Sequence, residues 1–169
     1  MTAFAKALIE KATAEIGVRE ERPNGGKRVD QYQAASWLAP KHWGPWCATF
    51  VCWVIREVMK DLGMKDTATF SRPQTAAAFG FERWSRAQGS ETWTKNNPGR
   101  DIEAGDIIIF GFSHIGFATS APDRNGNFQT VEGNTNGEGS REGDGVYAKR
   151  RNISLVRSRI RFREFPAGK

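Results

Sequence analysis

Only two cysteines and two histidines occur in 169 residues, and this scarcity narrows the chemistry open to the chain. Cys47 and Cys52 stand five positions apart, about 7.5 Å of rise if one helix carries both. That is too far for a disulfide without backbone distortion. Two free thiols are therefore predicted, and folding does not depend on an oxidising compartment. A zinc site built from Cys47, Cys52, His42 and His114 fails as well, because on a helix the two thiols point roughly 140° apart. No apolar run approaches the length of a membrane-spanning helix. The apolar core of a signal peptide is also missing. Between Met1 and Ile16, Phe4, Ala5, Leu8, Ala12 and Ile16 recur near helical spacing among Lys6, Glu10, Lys11 and Glu15, as on an amphipathic surface helix. The expectation is a soluble chain made in the cytoplasm. Repeats, linkers and low-complexity tracts are absent, and 26% charged with 38% hydrophobic residues is ordinary globular composition. A single domain over residues 1–169 is predicted.

The net charge of +6 is local. Between Arg141 and Arg163 lie eight of the 25 basic residues and two of the 19 acidic ones, so the remainder is balanced. Arg157, Arg159, Arg161 and Arg163 alternate with Ser158, Ile160 and Phe162. On a strand this gives one arginine face, read either as a solvated surface or as an attraction for anionic polymers.

Helical spacing predicts helices over about 3–16, 27–37 and 46–62, and Ser71-Arg72-Pro73 predicts a short one ending at Phe79 before Gly80. From Gly105 onward the pattern changes to strands at about 106–110, 114–120, 128–132, 146–150 and 154–162. Asn125-Gly126 is a hairpin signal. The surrounding Asp123–Asn127 stretch has alternating oxygens, but its glycine comes one place early for a calcium loop and no acid closes it. Helices followed by an antiparallel sheet make the expected class α+β, with N-terminal helices packed on a central antiparallel β-sheet.

Cys47 follows Pro45 and Trp46 at the start of its helix. A thiol in a first turn faces unpaired backbone N–H groups and the positive end of the helix dipole, which favours the nucleophilic thiolate. Such a nucleophile needs a base, and the base needs an orienting group. His42 lies in a polar loop. His114 opens a strand, with Gly116 leaving room across the sheet. The next strand carries Glu132 and Asn134, two apart and so able to share a face. Either could accept from the imidazole. Trp37, Trp43 and Trp46, close to Cys47 in sequence, are candidates to line a groove.

Taken together, Trp46-Cys47-Ala48-Thr49-Phe50-Val51, Gly105-Asp106-Ile107-Ile108-Ile109-Phe110, Ser113-His114-Ile115-Gly116 and Val131-Glu132-Gly133-Asn134-Thr135-Asn136 resemble the signature blocks of the CHAP family, the cysteine, histidine-dependent amidohydrolases/peptidases that cut peptidoglycan. The resemblance spans roughly residues 17–163. It implies a papain-like fold with Cys47 as nucleophile, His114 as general base, Glu132 as its orienting group and Asn134 assisting. Trp43 and Trp46 are the expected substrate-binding residues. Many members have Gln directly before the nucleophile where this chain has Trp46, which leaves the backbone N–H of Cys47 as the expected oxyanion donor. No metal or cofactor is implied. The expected substrate is bacterial peptidoglycan, cut by a monomeric phage endolysin, or by a secreted antibacterial effector, released through a holin or a secretion system. A separate wall-binding domain is not expected. The Arg157–Arg163 strand would add weak attraction to anionic envelope polymers. An intracellular amide hydrolase and a basic nucleic-acid-binding module are the competing readings, the latter leaving the Cys/His/Glu set without a purpose.

Overall fold

A computed structural model describes residues 1–88, 91–94 and 101–162. Helix α1 (Ala3–Ala14) is capped by the Thr2 hydroxyl, which accepts from the Ala5 N–H, and buries Phe4, Ala5, Leu8 and Ala12. Helix α2 (Lys27–Gln33) is shorter than its sequence pattern predicts. Helix α3 (Cys47–Asp61) is buried on all sides from Cys47 to Ile55, as befits a central helix, and meets solvent only in its last turns. It begins two residues beyond Pro45, so Cys47 is its first residue.

Helix α4 corrects the expected helix before Phe79. It runs from Gly80 to Ala87, starting where a stop was expected. The Ala-rich stretch ahead of it has little apolar surface to bury. By contrast, α4 places Phe81, Glu82 and Ser85 in the interior. There Glu82 accepts from Ser158 and pairs with Arg157, which docks the helix on the sheet.

Six strands form one sheet: β1 (Glu91–Thr94), β2 (Ile107–Phe110), β3 (His114–Ala118), β4 (Asn127–Thr135), β5 (Gly145–Asn152) and β6 (Val156–Arg161). Their spatial order is β1-β6-β2-β3-β4-β5, with every neighbouring pair antiparallel. Strand β1 was not foreseen. The fold is thus the α+β, papain-like arrangement expected, with helices laid on an antiparallel sheet. The pleat sorts the core in two. Ile107, Ile109, Ile115, Phe117 and Val131 join α1, α2 and α3 in the main cluster. Ile108, Phe110, Ala118 and Phe128 point to the opposite face and form a second, smaller cluster with Val156 and Ile102.

Among the described residues, two of the arginines expected on a solvated face of the last strand, Arg159 and Arg161, are buried. Arg157 pairs with Glu82 at 2.9 Å. Arg159 is buried and pairs with Asp101 at 2.5 Å. Arg161, also buried, forks onto both oxygens of Asp106 at 2.7 Å each and reaches Glu103 at 2.9 Å. Arg163 lies outside the described residues. Arg159 and Arg161 hold the strand to the 101–106 turn and have their charge neutralised there, which leaves Arg157 as the exposed arginine of the strand among the described residues. Asp106 is itself buried, so removing it takes the two-oxygen fork from Arg161 and one nearby carboxylate from Arg159, while Glu103 and Asp101 remain as partners. Asp106→Ala is expected to cost about 1–3 kcal/mol in urea unfolding, whereas a solvated arginine face would leave stability nearly unchanged.

Candidate active site

Three elements converge on one buried spot. Helix α3 contributes Cys47 from its first turn, β3 contributes His114 from its first position, and β4 contributes Glu132 and Asn134. The β3–β4 ladder pairs Phe117 with Val131 and Ala118 with Thr130. Beyond it the strands are bridged by side chains. Gly116 is what permits this, because a Cβ there would lie 2.6 Å from Glu132 Cγ and 2.8 Å from the Val131 carbonyl oxygen. Gly133 plays a matching part toward the helix. A Cβ on it would sit within 2.9 Å of Phe50 and Trp46, so β4 and the start of α3 are in direct contact.

His114 Nε2 lies 2.9 Å from Glu132 Oε2, and both side chains are fully buried. Nδ1 has no hydrogen-bond partner among the described residues, and Cys47 is a neighbouring group that favours the charged form of the ring. Burial alone would discourage a charged imidazole. Pairing with Cys47 and with Glu132 outweighs it and pushes His114 up to about 9. Burial likewise works against an ionised Glu132, but Arg151 and then His114 hold it down to about 2. With the carboxylate ionised, Nε2–H is the donor. Phe110 and Phe112 stack beside the ring, their centroids 6.0 and 5.8 Å from that of His114.

Asn134 is buried in the left-handed backbone region, at φ 54°, and neither polar atom of its amide has a hydrogen-bond partner among the described residues. A buried amide with both ends open has hydrogen-bonding capacity in reserve. Trp43 is half-buried, its indole N–H donating to the Leu38 carbonyl. Trp46 is fully buried, with its indole N–H donating to Glu20 at 2.7 Å and its ring against Tyr32. Its ring packs inward and its indole N–H is already committed. Trp46 is therefore a wall of the core behind Cys47, and the groove role read for it is corrected. His42 is exposed on a short 3-10 turn (Pro40–His42). Cys52 sits deep in α3 near the Thr75 carbonyl, and burial pushes its thiol far up, so it stays protonated. Both cysteines are free.

Sequence reasoning missed Arg151. This buried β5 residue donates from Nε to Glu132 Oε1 at 2.8 Å and from Nη2 to Oε2 at 2.5 Å. Thr130 adds a third donor, its hydroxyl 2.6 Å from Oε1. In the sequence Arg151 is one of three consecutive cations, Lys149-Arg150-Arg151, with nothing to distinguish it from its neighbours. Among the described residues, no group of three or more His, Cys, Asp or Glu side chains is placed to hold a metal ion.

The family model described as the CHAP domain matches residues 36–134, more than half of the chain and inclusive of Cys47, His114, Glu132 and Asn134. No curated protein and no solved structure matches the chain.

Two outcomes follow from this geometry. Gly116→Ala should destabilise the fold by about 1–3 kcal/mol in urea, because the new methyl overlaps Glu132. The second concerns pH. The folded state raises His114 from 6.5 to about 9, so the stability that its pairing contributes is complete below pH 6.5 and is lost as pH rises through 9. Thermal melts across that window should show a fall for the wild type that His114→Gln lacks; parallel curves would contradict the pairing.

Proposed function

Since the chain belongs to the CHAP domain family of cysteine, histidine-dependent amidohydrolases and peptidases, we propose that it is a peptidoglycan hydrolase in which Cys47 is the nucleophile, His114 the general base and acid, and Glu132 the group that orients His114. The observation that carries this reading is a buried imidazole bound through Nε2 to a buried carboxylate, with its Nδ1 unpartnered and Cys47 at the start of α3 acting on the same ring. A core histidine needs one partner. This one spends Nε2 on a carboxylate and leaves Nδ1 without a partner, the division of labour that acyl transfer requires if Nδ1 is to serve the thiol.

The reaction then runs in two halves. The Cys47 sulfur attacks the amide carbonyl carbon, forming a C–S bond, and the negative charge moves to the carbonyl oxygen. The first backbone N–H groups of α3 have no partner inside the helix and are the donors for that oxyanion. The C–N bond breaks as His114 Nδ1–H protonates the departing amine. Water next gives a proton to Nδ1 and attacks the thioester, releasing the acid and restoring Cys47. Throughout, Glu132 holds the ring by Nε2 and stabilises it when it is cationic. Asn134, with its buried amide unpaired, assists in the same cluster from β4. Trp43, half-buried four residues before Cys47, is the remaining aromatic candidate for contact with sugar or peptide. The bond cut is either the amide joining glycan to stem peptide or one within or between stem peptides. A phage endolysin is the reading we favour, with an exported effector of the same chemistry as its alternative.

Cys47→Ala should lower release of soluble fragments from purified peptidoglycan by roughly a thousandfold or more while leaving the melting curve intact. Mass spectrometry of the wild-type products assigns the bond: stem peptides freed from whole glycan mean an amidase, shortened or uncrosslinked muropeptides an endopeptidase. Full activity in Cys47→Ala would end the reading. The wild-type rate should also decline as pH rises past about 9, where His114 loses the proton it must give to the amine.

A further inference from the structure

Glu132 is held by more than its histidine. A carboxylate offers about four acceptor positions, and here all are taken: Arg151 Nε and the Thr130 hydroxyl on Oε1, Arg151 Nη2 and His114 Nε2 on Oε2. The fork of Arg151 spans both oxygens, which fixes the plane of the carboxylate and with it the direction from which the imidazole must approach. The same guanidinium lies 5.3 and 5.4 Å from the ring centroids of Phe110 and Phe112, the two rings stacked beside His114. It also donates from Nη2 to the Gly139 carbonyl at 3.0 Å, in the loop that follows Asn134. One side chain therefore touches the carboxylate that orients the imidazole, both rings beside it and the loop after the assisting amide.

Charge points the same way. Along the site the groups run thiol, imidazole, carboxylate, guanidinium, and when the first two exchange a proton the signs alternate and cancel. Without Arg151, the ion pair would have to form beside a second buried, uncompensated negative charge, which a low-dielectric interior resists. Lysine could restore the charge but not the planar fork. Arg151 lies outside the segment matched by the family model, so its part in the site comes from this structure and not from that match.

We propose that Arg151 is a positioning residue of the active site: it clamps Glu132 in the plane that aligns His114 with Cys47 and supplies the positive charge that balances the array. This rests on the proposed roles of Cys47 and His114, and its test does not need the natural substrate. The charged or titratable groups facing Glu132 are His114 from β3 and Arg151 from β5, with Cys47 of α3 beyond the imidazole.

The experiment follows alkylation of Cys47 by iodoacetamide from pH 4 to 10, with mass spectrometry to separate it from buried Cys52, on full-length wild type, Arg151→Met and Arg151→Lys. Circular dichroism establishes that each variant is folded. Arg151→Met should move the acid-side midpoint upward by about one pH unit or more, because Glu132 then takes up a proton more readily. Arg151→Lys should return the midpoint toward wild type while the plateau rate and kcat on peptidoglycan stay reduced, about fivefold or more, with KM little changed. A folded Arg151→Met with the wild-type profile overturns the proposal. Should that variant not fold, Arg151→Lys decides: a wild-type plateau overturns the clamp, a reduced one upholds it. Lost cleavage with unaltered alkylation in either variant also overturns it, since Arg151 would then act on substrate and not on the thiol–imidazole pair. The expected alkylation shifts in a wild type that releases nothing from peptidoglycan would instead refute the substrate assignment and leave the clamp standing.

Discussion

A carboxylate with no exposure to solvent is the constraint around which this molecule is arranged. Glu132 can remain ionised in the interior only if every lone pair is answered, and the answers come from three strands: Thr130 beside it on β4, His114 on β3 and Arg151 on β5. That requirement reaches into the fold. The strand opposite must carry glycine at position 116, because any larger residue would occupy the volume of the glutamate side chain. It also accounts for the cation from β5, without which the carboxylate would be drawn toward its neutral form and would lose its hold on the imidazole.

Helix α3 holds its two thiols in different surroundings. Cys47 stands at the first position, where the helix leaves its backbone N–H groups free and where the imidazole arrives from the sheet. Cys52, about a turn and a half deeper, meets only packed side chains and one carbonyl oxygen, and burial keeps it a thiol. Position along the helix, not residue type, thus sets the two thiols apart. Trp46 backs this arrangement from the core, and the contact of Gly133 with Phe50 and Trp46 ties β4 to the same turn.

The charge of the protein follows a similar logic. A net +6 concentrated toward the C-terminus suggests a sticky cationic surface. In the folded chain Arg157, Arg159 and Arg161 are matched by Glu82, Asp101, Asp106 and Glu103, residues 50 or more positions away in sequence. Arg151 is absorbed into the active site. Cationic residues that look equivalent along the chain serve as internal struts.

By itself the sequence determined the α+β class, most strand positions, both free thiols and the pairing of His114 with Glu132 near Cys47. These were legible because each depends on local rules: pleat alternation, the N-terminus of a helix, the hairpin turn at Asn125-Gly126, and two residues on one strand sharing a face. Tertiary structure decided what depends on strand register and depth. The helix near residue 80 begins at a glycine because Glu82 is called inward by Arg157 and Ser158. Trp46 faces the core and not the groove because Tyr32 and Glu20 receive it there. Arg151 differs from Arg150 only through the pairing of β4 with β5, which sets it opposite Phe128 on the face of Glu132. A side chain's reach across a sheet is a property of neighbouring strands, and no spacing within one strand encodes it.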